Sequence, residues 1–92
     1  MAVSLIPNVD IFREQIIRAA EDAVNESKRA VDKFGFFCSA HEAYAVLLEE
    51  VDELWADIKA NNPEGIREEA LQVAAMALRI AAECGSEEDL PQ

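Results

Sequence analysis

Ninety-two residues that are 51% hydrophobic, with only three glycines and three prolines, describe one packed domain and exclude a disordered or collagen-like chain. Nineteen acidic against eight basic residues leave a net charge of −11, which repels a bare polyphosphate backbone and argues against nucleic-acid polymers as partners. The longest apolar runs, Ala43–Leu48 and Val73–Leu78, hold six residues each, far short of the roughly 18 that cross a bilayer.

Glycine and proline punctuate the chain in chain order. Met1–Ile6 carries no basic residue and too little apolar length for a secretory signal, so the chain reads as soluble and cytoplasmic. Pro7, Gly35, Pro63, Gly65, Gly85 and Pro91 fall outside the strongly periodic stretches. Between Asn8 and Phe34, the residues Phe12, Ile16, Ala19, Ala20, Ala23, Ala30, Val31 and Phe34 share one helical stripe. Glu14, Arg18, Glu21, Asn25 and Arg29 face away, and Asn8 or Asp10 can cap the start.

Gly35-Phe36-Phe37-Cys38 breaks that pattern. Ser39 with Glu42 three residues on is a capping box, which predicts a second helix to about Ala60. Its buried stripe is expected to be Tyr44, Leu47, Val51, Leu54 and Ile58. Asn61–Gly65 reads as a turn, and a third helix is predicted from about Ile66 to Cys84. The domain spans 1–85, with a short acidic tail over 86–92.

Val73, Met76 and Ile80 lie on one side of the third helix, with Leu71, Ala74, Leu78 and Ala82 on the other. A helix apolar nearly all round is buried nearly all round, and three helices of this length cannot enclose it alone. The expected architecture is therefore all-α: a three-helix protomer that completes a bundle by dimerisation. Cys38 and Cys84 lack Cys-x-x-Cys spacing and read as small buried hydrophobes. His41 is the only histidine, so zinc or histidine-based catalysis has little to stand on.

The carboxylates nearest the apolar stripes carry the chemistry. With Leu47 at zero, Glu50 falls at about −60°, Asp57 at about −80° and Glu53 at about −120°, all beside the stripe. Glu69 shares the arc of Val73, Met76 and Ile80, with Gln72 and Arg79 about 60–80° round. Carboxylates gathered near a core repel one another unless a cation sits among them. Oxygen ligands from facing helices suit Mg²⁺ or Mn²⁺. A Glu-x-x-Glu pair such as Glu50 and Glu53 is common on any glutamate-rich helix; the second helix and the apolar placement of Glu69 strengthen it.

The stretch Ser39–Ala82, with Leu48-Glu49-Glu50-Val51-Asp52-Glu53-Leu54-Trp55 followed by Glu68-Glu69-Ala70-Leu71-Gln72-Val73, resembles the MazG-like all-α nucleoside triphosphate pyrophosphohydrolases. That family carries Glu-x-x-Glu on one helix and Glu-x-x-Asp on the next. The resemblance implies metal binding by Glu50, Glu53 and Glu69, with Mg²⁺ (or Mn²⁺) as cofactor and Glu50 and Glu53 in catalysis. It further implies cleavage of a nucleoside triphosphate between the α and β phosphates, and a homodimer or homotetramer. Gln72 stands where the family has Asp; its amide oxygen can ligate but brings no charge and no base. Lys59, Arg79 and Trp55 are weaker candidates for substrate contact, since each is as readily a surface cation or a packing residue. Phe36 and Phe37 are expected to close the bundle end. The alternative reading is a catalytically inactive MazG-like helical protein kept for dimerisation or partner binding.

Overall fold

A computed structural model of the chain describes residues 8–85; the readings made for Met1–Ile6, Pro7, Pro91 and the tail 86–92 lie outside the described residues. Three helices follow in order: α1 (Val9–Phe34), α2 (Ala40–Lys59) and α3 (Pro63–Cys84). No strand occurs among the described residues.

The ends form for local reasons. Asn8 Oδ1 accepts from the backbone N–H groups of Asp10 (2.9 Å) and Ile11 (3.1 Å), satisfying two of the unpaired donors of the first turn. Gly35 ends α1 at φ 80°, a left-handed conformation that costs glycine nothing. Ser39 Oγ accepts from Glu42 N at 3.1 Å. The Glu42 carboxylate reaches back to Cys38 N at 2.8 Å, one residue earlier than a standard capping box places it. α3 begins three residues before the predicted Ile66, because Pro63 occupies the first helical position, where its missing N–H is no loss. Asn61 takes φ 55° in the tight reversal from α2, a conformation asparagine tolerates. At Gly65 a Cβ would come within 2.5 Å of the Asp57 side chain, so glycine lets the end of α2 press onto the start of α3.

α3 is the central element. It packs on both α1 and α2, while no Cα of α1 comes within 8 Å of a Cα of α2 among the described residues. The apolar core is built from small residues: Ala23, Ala43 and Ala75 are buried, joined by Met76. Beside them lies a buried ion pair. Arg79 and Glu83 are 5% and 3% exposed, and Arg79 Nε donates to Glu83 Oε2 at 2.8 Å. Arg79 Nη2 donates to the Gly35 carbonyl at 2.9 Å, and Glu83 Oε1 accepts from Phe37 N at 2.8 Å. The Arg79 guanidinium also lies 3.9 Å from the centre of the Phe37 ring.

The uncovered apolar surface is not where the sequence suggested. Of the large hydrophobics on α3, only Leu78 is exposed, because α1 and α2 flank this helix on two sides. The exposed ones crowd α1, including Val9, Phe12, Ile16, Ile17 and Phe34, and α2. On α2 the expected stripe is split. Leu47 and Leu54 turn toward α3 and are half-buried, whereas Tyr44, Val51 and Ile58 join Leu48 and Trp55 in an exposed row. Cys38 is exposed rather than buried, and Cys84 is half-buried.

Removing one member of the buried pair strands the other charge. Arg79→Met or Glu83→Gln should lower unfolding free energy by about 3–5 kcal/mol, read from urea midpoints at fixed protein concentration. The Arg79→Met/Glu83→Leu double variant should lose less than the two single losses together.

Candidate metal centre

Glu50 and Glu53 stand one turn apart on α2, and Glu69 meets them from α3. One carboxylate oxygen from each lies within 4.8 Å of the other two. Glu50 and Glu69 are half-buried and Glu53 is exposed, so the cluster opens to solvent on the Glu53 side. Glu50 Oε2 and Glu69 Oε2 are sealed from solvent and have no hydrogen-bond partner. A buried, unpaired carboxylate oxygen costs several times what a paired one does.

The electrostatics carry the same message. The Glu53 carboxyl is held above its ordinary value, first by a hydrogen bond with Glu69 and then by the Glu69 charge. Glu69 is also raised, chiefly by burial, then by a hydrogen bond with Glu50 and by its charge. Ionised, the cluster contains only acceptors; a proton on one carboxyl supplies the donor another needs. Negative charge at Asp57 pushes both in the same direction. Asp57 is itself engaged, its Oδ1 accepting from Asn62 Nδ2 at 3.3 Å. Protons or a divalent cation can relieve such a cluster, and an all-oxygen donor set suits a hard cation.

Gln72, one turn beyond Glu69, is half-buried where two cavities adjoin. One, of about 650 Å³, runs between α1 and α3 and includes Glu69; the other, of about 620 Å³, includes Glu50 and lies among all three helices. Glu26, Arg29 and Gln72 line both. Glu69 thus borders the first cavity and Glu50 the second, the two adjoining along α3 as one trough, while Glu53 lies outside both linings.

The weaker candidates separate. Trp55 and Lys59 stack on each other at 5.4 Å, both exposed on α2 and outside the trough lining. Arg79 borders the second cavity, but its Nε and Nη2 are committed to Glu83 and Gly35. The cations along the trough wall are instead Arg29 and Lys33 of α1, with Arg67 of α3. Arg29 is exposed, as its helical phase predicts, and it borders both cavities as well. The spacing of Glu26, Arg29 and Lys33 on one helical face was the available signal, and Glu26 pairs with Arg29 there. Arg67 Nη2 meets Asp22 Oδ2 at 2.9 Å, linking the start of α3 to α1.

Because the Glu53 and Glu69 values are raised, the folded state keeps protons that the unfolded chain has released. Their favourable contribution is present below the ordinary carboxylate value of 4.5 and is lost as pH climbs through the raised values. Without metal, Glu69→Gln should therefore melt above the native chain at neutral pH, and the gap should close on acidification toward 4.5. A Mg²⁺ ion held by the three carboxylates would, at a hundred times its dissociation constant, add about 2.7 kcal/mol, a melting-temperature rise on the order of 10 °C at this size. That rise should vanish in acid, where protons compete with the cation, and in Glu69→Gln.

No protein-family model, curated protein or solved structure matches this chain; a functional reading therefore stands on the carboxylates and the trough beside them.

Proposed function

We propose that the chain is a Mg²⁺-dependent nucleoside triphosphate pyrophosphohydrolase of MazG-like architecture, cleaving between the α and β phosphates. The observation that carries this reading is the pair of sealed, unpartnered oxygens, Glu50 Oε2 and Glu69 Oε2, in a three-carboxylate cluster open at Glu53. Glu50, Glu53 and Glu69 would hold the metal, and the Gln72 amide oxygen would stand beside them without adding charge. Mg²⁺, when bound, supplies Lewis-acid polarisation of the phosphate and lowers the pKa of a bound water. Glu53, the exposed member, would be the carboxylate to take a proton from an attacking water. Arg29, which borders both cavities, offers the positive charge that phosphate oxygens need on a chain of net charge −11.

The working unit in this reading is a two-fold dimer. Tyr44, Leu48, Val51, Trp55 and Ile58 recur at alternating spacings of four and three along α2, the seam of a helix pair, and all five are exposed. The protomer has 7000 Å² of accessible surface, against about 5300 Å² for a compact monomer of this mass. Its radius of gyration is 15.1 Å, where about 12 Å is usual.

A second reading is an assembly module without turnover. Gln72 in place of a carboxylate and the same α2 seam favour it.

Pyrophosphate release from a panel of nucleoside triphosphates separates the two. The enzyme reading expects release that needs Mg²⁺ or Mn²⁺, stops with chelator, and falls more than about 100-fold in Glu53→Gln, beyond what an outer-shell partner costs. Gln72→Asp should tighten Mg²⁺ binding and raise turnover. Absence of release together with no metal-dependent stabilisation would leave the assembly module. Sedimentation should show a dimer or tetramer that Leu48→Glu converts to monomer while the helical signal persists.

A further inference from the structure

The second cavity changes character along its length. Glu50, Gln72, Glu26 and Arg29 line one end; Phe34, Phe37, Val46 and Met76 belong to the other. The direction follows from the helices: α3 runs from Gln72 to Arg79, a rise of about 10 Å, and Val46 precedes Glu50 by one turn on α2. Arg79 is fixed against Phe37, so the apolar end coincides with the α1–α2 connection.

Phe34 is the anomaly at this end. It is 74% exposed, the most exposed large hydrophobic among the described residues, although it borders a cavity of about 620 Å³. Lys33 Nζ lies 5.1 Å from its ring centre, and the Arg79 guanidinium covers Phe37 at 3.9 Å. Each aromatic ring thus has a cation near it within a volume of small-molecule size. A polyphosphate alone has no use for this apolar wall; a planar, electron-rich group attached to the phosphates does.

We propose that the Phe34–Phe37 end of the cleft seats the base of a nucleotide by stacking, with Phe34 as the main specificity-determining residue. This rests on the reading of Glu50, Glu53 and Glu69 as the metal centre, which fixes the phosphates at the other end. At this end the side chains of Ala30, Phe34, Phe37, Val46 and Met76 carry no hydrogen-bonding group, and Arg79 Nε and Nη2 are committed to Glu83 and Gly35. Lys33 offers one flexible ammonium near the Phe34 ring rather than a fixed reader of a base edge. Strong discrimination between bases requires such fixed readers. Selection therefore follows stacking area: purine nucleotides bind more tightly than pyrimidine ones, and both exceed inorganic tripolyphosphate.

Calorimetric titration in Mg²⁺ with α,β-methylene ATP, α,β-methylene CTP and inorganic tripolyphosphate tests this, beside a titration with Mg²⁺ alone. The expected order is the ATP analogue, then the CTP analogue, then tripolyphosphate. Phe34→Ala should weaken the ATP analogue by about 5- to 100-fold, the range that one base–aromatic stack supplies. It should leave tripolyphosphate and Mg²⁺ binding unchanged, and Phe34→Trp should restore the nucleotide preference. Because Phe34 is exposed, its truncation leaves the helices intact, which circular dichroism checks. Equal binding of tripolyphosphate and the analogues, or an unchanged preference in Phe34→Ala, overturns the base seat while Mg²⁺ binding still upholds the metal centre. Absence of both Mg²⁺ and nucleotide binding overturns the two together.

Discussion

The arrangement of the molecule depends on the buried Arg79–Glu83 pair. No Cα of α1 lies within 8 Å of a Cα of α2, whereas both helices pack on α3, and this pair binds α3 to the segment joining the other two. Arg79 grips the Gly35 carbonyl, Glu83 receives the Phe37 N–H, and the two charges bond to each other. Each member also covers a backbone group that would otherwise be left unpaired at the end of α1. A buried ion pair brings little net stability against an apolar replacement. Its consequence here is positional. It holds the α1–α2 connection, at Gly35 and Phe37, against α3.

The small-residue core has the complementary effect. Ala23, Ala43 and Ala75 let the helices pack closely while burying little apolar area each. Larger side chains are left for the outside, which is why Tyr44, Leu48, Trp55 and Phe12 are exposed on a chain that is 51% hydrophobic. Close packing at the start of α3 also brings the carboxylates together. Gly65 admits the Asp57 side chain, Asn61 reverses the chain, and one turn later Glu69 faces Glu50 and Glu53. The electrostatic tension of the cluster is thus produced by the same α2–α3 contact that makes the fold.

Much of this was legible in the sequence. The three helices, the caps at Asn8 and Ser39, and the stop at Gly35 rest on local chemistry, and local chemistry decides them. Glu50, Glu53 and Glu69 were legible because helical phase places them beside apolar stripes. What escaped depends on contacts far along the chain. Arg79 and Glu83 are an ordinary i, i+4 pair until Gly35 and Phe37, 44 and 46 residues away from their respective partners, close over them. The α2 stripe was read as one face because Leu47, Leu48, Leu54 and Trp55 are equally apolar; only α3 decides that Leu47 and Leu54 turn inward. Arg29 is solvent-facing as its phase predicts; that it also borders a trough depends on α3, and nothing local reveals that.

Gln72 is best understood against the charge already present. Two of the three clustered carboxyls are raised toward the protonated state, with Asp57 adding to the field. A fourth carboxylate one turn from Glu69 would add repulsion to a cluster whose sealed oxygens already lack donors. An amide has the shape of the carboxylate and can accept through its oxygen, yet it also donates. The same substitution removes one negative charge from the attraction a cation would feel. Gln72 therefore spares the cluster a further negative charge, and in the proposed metal-binding reading it trades metal affinity for stability of a chain with so small a core.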